Sequence, residues 1–314
     1  MKATQGLDQS EGALTVKEWL FSVVIPAYNA EQYVREALDS VARQTFTEYE
    51  IVVVDDGSSD GTPKQVACWA VDHPRIELRV IQQEHGGIGR ARNAGVRGAT
   101  GTYVAFLDVD DLWMERKLET VALYCQQPKA VELFCHDEWL EENGRRRRLR
   151  YGPYATYRQL LFKGNCLSTS ATVVRRTKLL EVGGFSDNPR FNGVEDYELW
   201  LRLARTGCCI EYIHEPLGIY RVHGRGITSR IEEHCAHYLN VLEAHFESWQ
   251  PQTAYCRCLM RRRRAAVLRG AGRASLKVGR HREARLWFMK SLLQDPFSWK
   301  AWALSTLNLL RISV

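Results

Sequence analysis

The chain of 314 residues has no apolar run close to the roughly 18 residues that a membrane-spanning helix requires. Its first stretch, residues 1–17, is polar. It lacks the apolar core and small-residue cleavage site of a secretion signal, so it is expected to be a flexible N-terminus. The nine cysteines include no Cys-x-x-Cys pair, which removes the usual zinc spacing. Idle thiols in a reducing compartment are the simpler reading. These absences lead to the expectation of a cytoplasmic protein. No nucleic-acid partner is expected.

Charge is present but uneven. Residues 251–314 hold 14 Lys/Arg against Glu283 and Asp295, a net of +12. The first 250 residues then carry −6, because the whole chain is +6. Such asymmetry suits a tail that touches an anionic surface, with a solvated helical face as the blander alternative.

Short apolar runs alternate with helical spacing over the first third. Phe21–Ile25, Ile51–Val54, Leu78–Ile81 and Tyr103–Leu107 read as strands. The stretches 31–43, 62–70 and 88–97 read as helices, with Pro63 suited to a first turn. This alternation predicts an α/β fold with a mostly parallel sheet and right-handed crossovers. Ligands on such sheets bind beyond the carboxyl ends of the strands. Further on, the pattern predicts a helix over 115–127, strands near 131–136 and 171–175, a basic turn at Arg145–Arg148, and a helix over 197–205. From about Ile231 the chain reads as helical and Arg-rich. Gly272, Ala284, Phe288, Ser291 and Pro296 have the spacing of one tetratricopeptide repeat, so a helical hairpin is expected there.

The polar residues crowd into the loops after the strands. Asp108-Val-Asp110-Asp111 puts three carboxylates in four residues, which repel unless a cation sits among them. Oxygen ligands favour Mg²⁺ or Mn²⁺, which bridge to substrate phosphates. The alternative is an acidic turn with Asp111 as an N-cap. The Asp55–Gly61 loop offers carboxylates to a base or ribose, or is an ordinary Asx-rich turn. Gly86, Gly87 and Gly89 with Arg90 and Arg92 open a helix, an arrangement able to hold a diphosphate. Glu195-Asp196 places carboxylates near a helix start, either to favour the dipole or to act as a base. Arg221 and His223 supply cations for a departing diphosphate.

Taken together, these stretches resemble the family 2 glycosyltransferases, which have the GT-A fold. The resemblance rests on Ser22–Asn29, Val53–Thr62, Ala91–Gly95, Phe106–Asp111, Gly183–Phe185 and Val194–Arg202, in the family's order and spacing. It covers about residues 20–230. It implies that Pro26, Tyr28 and Asp56 contact the nucleotide, with Arg92, Arg221 and His223 also on the donor. It implies that Asp108 and Asp110 handle diphosphate and metal, and that Asp196 is the catalytic base. The implied activity is inverting transfer of one sugar from a nucleotide-diphosphate donor to an acceptor hydroxyl in surface glycan or glycoconjugate biosynthesis. The acceptor would be a glycan, a lipid-linked species or a protein. The Gln-x-x-Arg-Trp motif and membrane helices of processive members are absent, so one sugar per encounter is expected.

The expected organisation is a GT-A domain over 18–230, with a nucleotide-sugar and metal half at 18–115 and an acceptor half at 116–230. A basic helical extension would follow over 231–314, with peripheral contact to an anionic membrane on its cytoplasmic face. A sugar nucleotidyltransferase is the nearest competing enzyme, but its Gly-rich opening loop is missing from Ser22–Asn29. A non-catalytic nucleotide-sugar scaffold is the other alternative, and the intact Asp110 and Asp196 speak against it.

Overall fold

A computed structural model describes residues 20–222, 230–250 and 253–309. The first half follows the predicted alternation: β1 (Phe21–Ala27), α1 (Val34–Ala42), β2 (Tyr49–Asp55), α2 (Thr62–Asp72), β3 (Leu78–Gln82), α3 (Ile88–Gly98) and β4 (Tyr103–Phe106). The order across the sheet is β3-β2-β1-β4, all parallel. β1 and β2 are buried along their whole length, as expected of strands covered by helices on both faces. The two-residue period still sorts their side chains. Val24, Val52 and Val54 face α3 with Ala91 and Ala94, whereas Val23, Ile25, Ile51 and Val53 join Leu38, Val66 and Trp69 under α1 and α2. β3 lies at the edge and is half exposed, which explains its weaker apolar pattern.

Past β4 the sheet becomes mixed. β5 (Leu112–Trp113), α4 (Lys117–Cys125), β6 (Leu133–Glu142), β7 (Arg145–Leu149), α5 (Tyr157–Lys163), β8 (Thr172–Arg175), α6 (Arg176–Glu181), α7 (Glu195–Arg205) and β9 (Ile210–Arg221) follow. β8 runs antiparallel beside β4, and the order continues β8-β6-β9-β5, with β6 and β9 parallel and the other pairs antiparallel. The expected basic turn at Arg145–Arg148 is instead the strand β7. Its hairpin with β6 turns at Asn143 and Gly144, which both have positive φ (52° and 72°) as a type I′ turn requires.

The basic C-terminal region forms α8 (Ile231–Glu247), α9 (Ala254–Lys277), α10 (His281–Gln294) and α11 (Trp299–Leu309). Val241, Leu242, Phe246 and Met260 share one buried cluster with Leu133, Trp200 and Leu203. The expected hairpin is α9–α10. Phe288 is fully buried against Gly272, where an added Cβ would sit 2.4 Å from its ring, and Ser291 donates to the Ala265 carbonyl at 2.8 Å. Among the described residues no helix is long and apolar enough to cross a membrane.

Candidate functional site

Four loops leave the carboxyl ends of β1 to β4 and are stitched together there. Asn29 Oδ1 accepts from the Ser59 amide at 2.8 Å, and the Asn29 amide donates to Ser58 Oγ at 3.0 Å. Tyr28 remains half exposed and stacks on His85, with ring centroids 4.0 Å apart. Pro26 closes β1 just after its pairing with β4 ends at Val24, so on that side its missing N–H leaves no ladder bond unmade.

Asp56 is buried and spends its carboxylate on the loop after β3. Oδ1 accepts from the Gly86 amide at 2.9 Å and from Gln83 Nε2 at 2.6 Å. Oδ2 accepts from the Gly87 amide at 2.9 Å, and His85 Nδ1 lies 2.9 Å away. The glycine amides expected to cradle a diphosphate are therefore engaged by Asp56. Gly57 keeps this junction compact: its φ is +76°, and a Cβ there would come within 2.8 Å of the His85 nitrogen.

Arg92, only 3% exposed, donates from Nη2 to Asp108 at 2.7 Å and from Nη1 to Glu195 at 2.8 Å. Its guanidinium also lies 5.1 Å from the centre of the Phe185 ring. Burial opposes its charge, but Asp108 and Glu195 more than offset that, and its pKa is raised. Arg92 thus ties the end of β4 to the start of α7, bringing Asp108, Glu195 and Asp196 into one neighbourhood. Asp196, half-buried in the first turn of α7, has a carboxyl pushed up to about 7, first by desolvation and then by Glu195.

The three carboxylates of the Asp108–Asp111 turn do not act alike. Asp111 is buried and turned inward, accepting from Ser170 Oγ at 2.6 Å and from the Arg221 amide at 3.0 Å. Desolvation, then Glu138, Asp110 and Asp108, raise its pKa well above the usual carboxylate range. It neither caps a helix nor serves as a third outward ligand, since α4 begins only at Lys117. Asp108 and Asp110 remain half-buried at the mouth of the sheet. Their oxygen-only donor set fits a divalent cation bound mostly by substrate phosphates and water. Among the described residues no group of three or more His, Cys, Asp or Glu is placed to hold a metal by itself.

Arg221 ends β9 beside this turn. Its amide meets Asp111, its Nε donates to the Asp110 carbonyl, and its Nη1 pairs with Glu36. His223 lies outside the described residues. A buried polar group behind the turn has no local sequence signal. Lys117 is fully buried, donates to the Ser170 carbonyl at 2.7 Å and sits 3.5 Å over the Trp113 ring. Burial lowers its pKa well below the usual lysine range. Tyr151 donates to Glu138 at 2.7 Å nearby. A lysine in an amphipathic stretch reads as exposed, so no local pattern flags this one.

Residues 22–183 match the family described as Glycosyl transferase family 2. The chain is 32% identical over 188 residues to the Escherichia coli UDP-Glc:alpha-D-GlcNAc-diphosphoundecaprenol beta-1,3-glucosyltransferase WfgD, covering 60% of this chain and 71% of that protein. Other curated relatives range more widely, and the chain spans from 26% to 82% of their length. Among solved structures it resembles residues 1–349 of S. aureus TarS in complex with UDP-GlcNAc, with a TM-score of 0.61, 18% identity, and 93% and 92% of the two chains covered. It also resembles the Pyrobaculum calidifontis mannosyltransferase PcManGT in complex with GDP-Man and Mn²⁺, with a TM-score of 0.56, 21% identity, and 94% and 88% covered. The mixed sheet with its flanking helices is therefore a GT-A fold, and the chain belongs to glycosyl transferase family 2 as a glycosyltransferase.

Proposed function

We propose that this enzyme transfers a single sugar, with inversion, from a nucleotide-diphosphate donor to the hydroxyl of a lipid-linked acceptor during surface polysaccharide synthesis. The observation that carries the reading is Asp196. Its carboxyl is tuned to about 7 at the start of α7, beside the Arg92 bridge to Asp108. A general base works best when its pKa lies near the working pH. Asp196 would take the acceptor proton as the acceptor oxygen attacks the anomeric carbon from the face opposite the leaving diphosphate. Glu195 is held by Arg92 and so is less free to do so.

Tyr28 and Pro26 would bound the base pocket, with Asp56 acting chiefly through the loop it holds. Arg92 would position Asp108 rather than touch the donor. Arg221 and His223 would face the diphosphate. A divalent cation on Asp108 and Asp110 would supply charge neutralisation for the leaving group. PcManGT carries Mn²⁺ in its solved complex, which supports such a cation here. The WfgD name includes a diphosphoundecaprenol acceptor, which supports a lipid-linked one.

The test is incubation with a panel of UDP, GDP and dTDP sugars, with and without Mn²⁺, reading nucleotide release. Slow donor hydrolysis that Asp196→Asn suppresses is expected. Nucleotide binding without any turnover of any sugar would instead mark a binding scaffold.

A further inference from the structure

A cavity of about 320 Å³ lies between α8 and α9. Its lining is apolar apart from His234, Tyr238 and Arg263, and it includes no carboxylate. Arg263 is only 7% exposed, yet among the described residues no carboxylate pairs with it. Its Nη2 donates to the Tyr238 hydroxyl at 2.6 Å, and among the described residues its Nε has no acceptor. The neighbouring Arg264, by contrast, is answered by both oxygens of Glu243. A buried cation without a counter-charge is costly unless something binds it. The guanidinium packs over Gly164 at the end of α5, so helix carbonyls offset part of that cost.

Two further observations concern the cavity lining. Among the described residues His234 Nδ1 is also buried without a partner. Gly270 lines the mouth of the cavity from the interior of α9, where it is exposed and a Cβ would meet nothing within 4 Å. Glycine costs helix stability there without relieving any clash. The cavity thus opens to solvent beside a cation that has hydroxyl partners but, among the described residues, no carboxylate, with Val267, Ala271 and Ala274 among its apolar lining.

We infer that this cavity binds the phosphate ester of a long apolar alcohol, its phosphate on Arg263 and its chain against the apolar residues of α9. The cavity is one stacked pair of rings from the proposed base: Tyr238 stacks on Tyr197 with centroids 4.7 Å apart, and Tyr197 follows Asp196. The inference deepens the reading of the acceptor as lipid-linked and rests on it for its biological meaning, although binding itself needs no turnover.

Isothermal titration of the full chain with dodecyl phosphate below its micelle concentration is the test, with inorganic phosphate and dodecanol as separate arms. Saturable 1:1 binding of dodecyl phosphate is expected, with each control at least tenfold weaker. Gly270→Leu should fill the space and weaken binding at least tenfold. Arg263→Met should make dodecyl phosphate and dodecanol bind alike. Absent saturation, equal binding of dodecanol by the wild type, or indifference to Gly270→Leu would overturn the inference. Tight binding of inorganic phosphate alone would reduce the site to a free-anion site and overturn it too. Should Arg263→Met fail to fold, the head-group ratio and Gly270→Leu decide. Transfer to a soluble hydroxyl acceptor without any lipid reads the transferase proposal separately, so either idea can fail while the other stands.

Discussion

Arg92 forks between Asp108, 16 residues along the chain, and Glu195, 103 residues along it. One buried guanidinium therefore fixes the distance between the end of β4 and the start of α7, which carry the proposed metal ligands and the proposed base. Removing one member of a buried ion group typically costs about 3–5 kcal/mol, because the remaining charges lose their compensation. Arg92→Leu is expected to lose stability on that scale in urea denaturation and to abolish transfer. Arg92→Lys keeps the charge but cannot fork, so it should fall between the two. A loss under about 1 kcal/mol for Arg92→Leu, the level of an exposed pair, would show that the bridge is open to water.

Asp196→Asn should preserve fold and donor affinity while lowering transfer by about 10²–10⁴, the range for loss of a general base. In the wild type, activity should fall as pH drops below about 7, where the carboxyl takes up its proton. Glu195→Gln removes a negative neighbour that raises this pKa, so the acid limb should move to lower pH. The stability term has the opposite sense. The folded carboxyl holds its proton more tightly than the unfolded one, so its contribution is greatest below about pH 4 and is lost as pH rises through about 7. A pH–rate profile that stays flat from 5 to 8 would remove Asp196 from the role of base.

Asp110→Ala should abolish any Mn²⁺ stimulation of donor binding while leaving metal-free nucleotide affinity nearly unchanged. Asp111→Ala should behave differently. It unpairs Ser170 and the Arg221 amide inside the protein, so its first symptom should be a lower melting temperature. Donor titrations with and without Mn²⁺, alongside thermal unfolding, separate the two. Identical defects in both variants would refute this division of labour.

The basic run Arg261–Arg264 is largely committed inside the protein, so the expected membrane contact of the basic extension would rest on other residues. Within Arg261–Arg264, Arg263 is buried, Arg264 pairs with Glu243, and Arg261 donates to the carbonyls of Leu293 and Gln294. Phe288 is packed inside as well. What stands out to solvent is Phe297 at 89% exposure and Trp299 at 72%, with Leu293 and Trp302 nearby in the chain. Aromatic side chains favour the membrane interface, and basic residues near an anionic leaflet add about 1 kcal/mol each. Co-sedimentation with anionic vesicles should therefore fall with Phe297→Ser and Trp299→Ser and weaken in high salt. Binding that survives both changes would place any membrane contact elsewhere.

The parallel half of the fold was legible because its signals are local. Val and Ile runs closed by Pro26, Asp55 or Asp108 say where strands stop, and the crossover rule then places four loops on one rim. The hairpin at Asn143-Gly144 was equally local, but the arginines beside it drew the reading to the wrong residues. Which strands neighbour β4 was not legible. β8 reaches that place from Thr172 onward, and the choice of an antiparallel partner depends on packing between stretches far apart in sequence.

The site divides the same way. Residue type with position after a strand drew attention to Asp56, Asp108 and Asp110, and position at a helix start to Asp196, as candidates for chemistry. What each is free to do depends on what surrounds it. Asp56 is consumed by the Gly86 and Gly87 amides, Asp111 by Ser170 and Arg221, and Arg92 by two carboxylates. Lys117 and Arg263 are buried cations that any pattern of hydrophobicity would assign to the surface. A strand or a turn is fixed by residues a few positions apart, whereas the charge and reach of a side chain depend on desolvation and partners that only the folded chain brings within 3 Å.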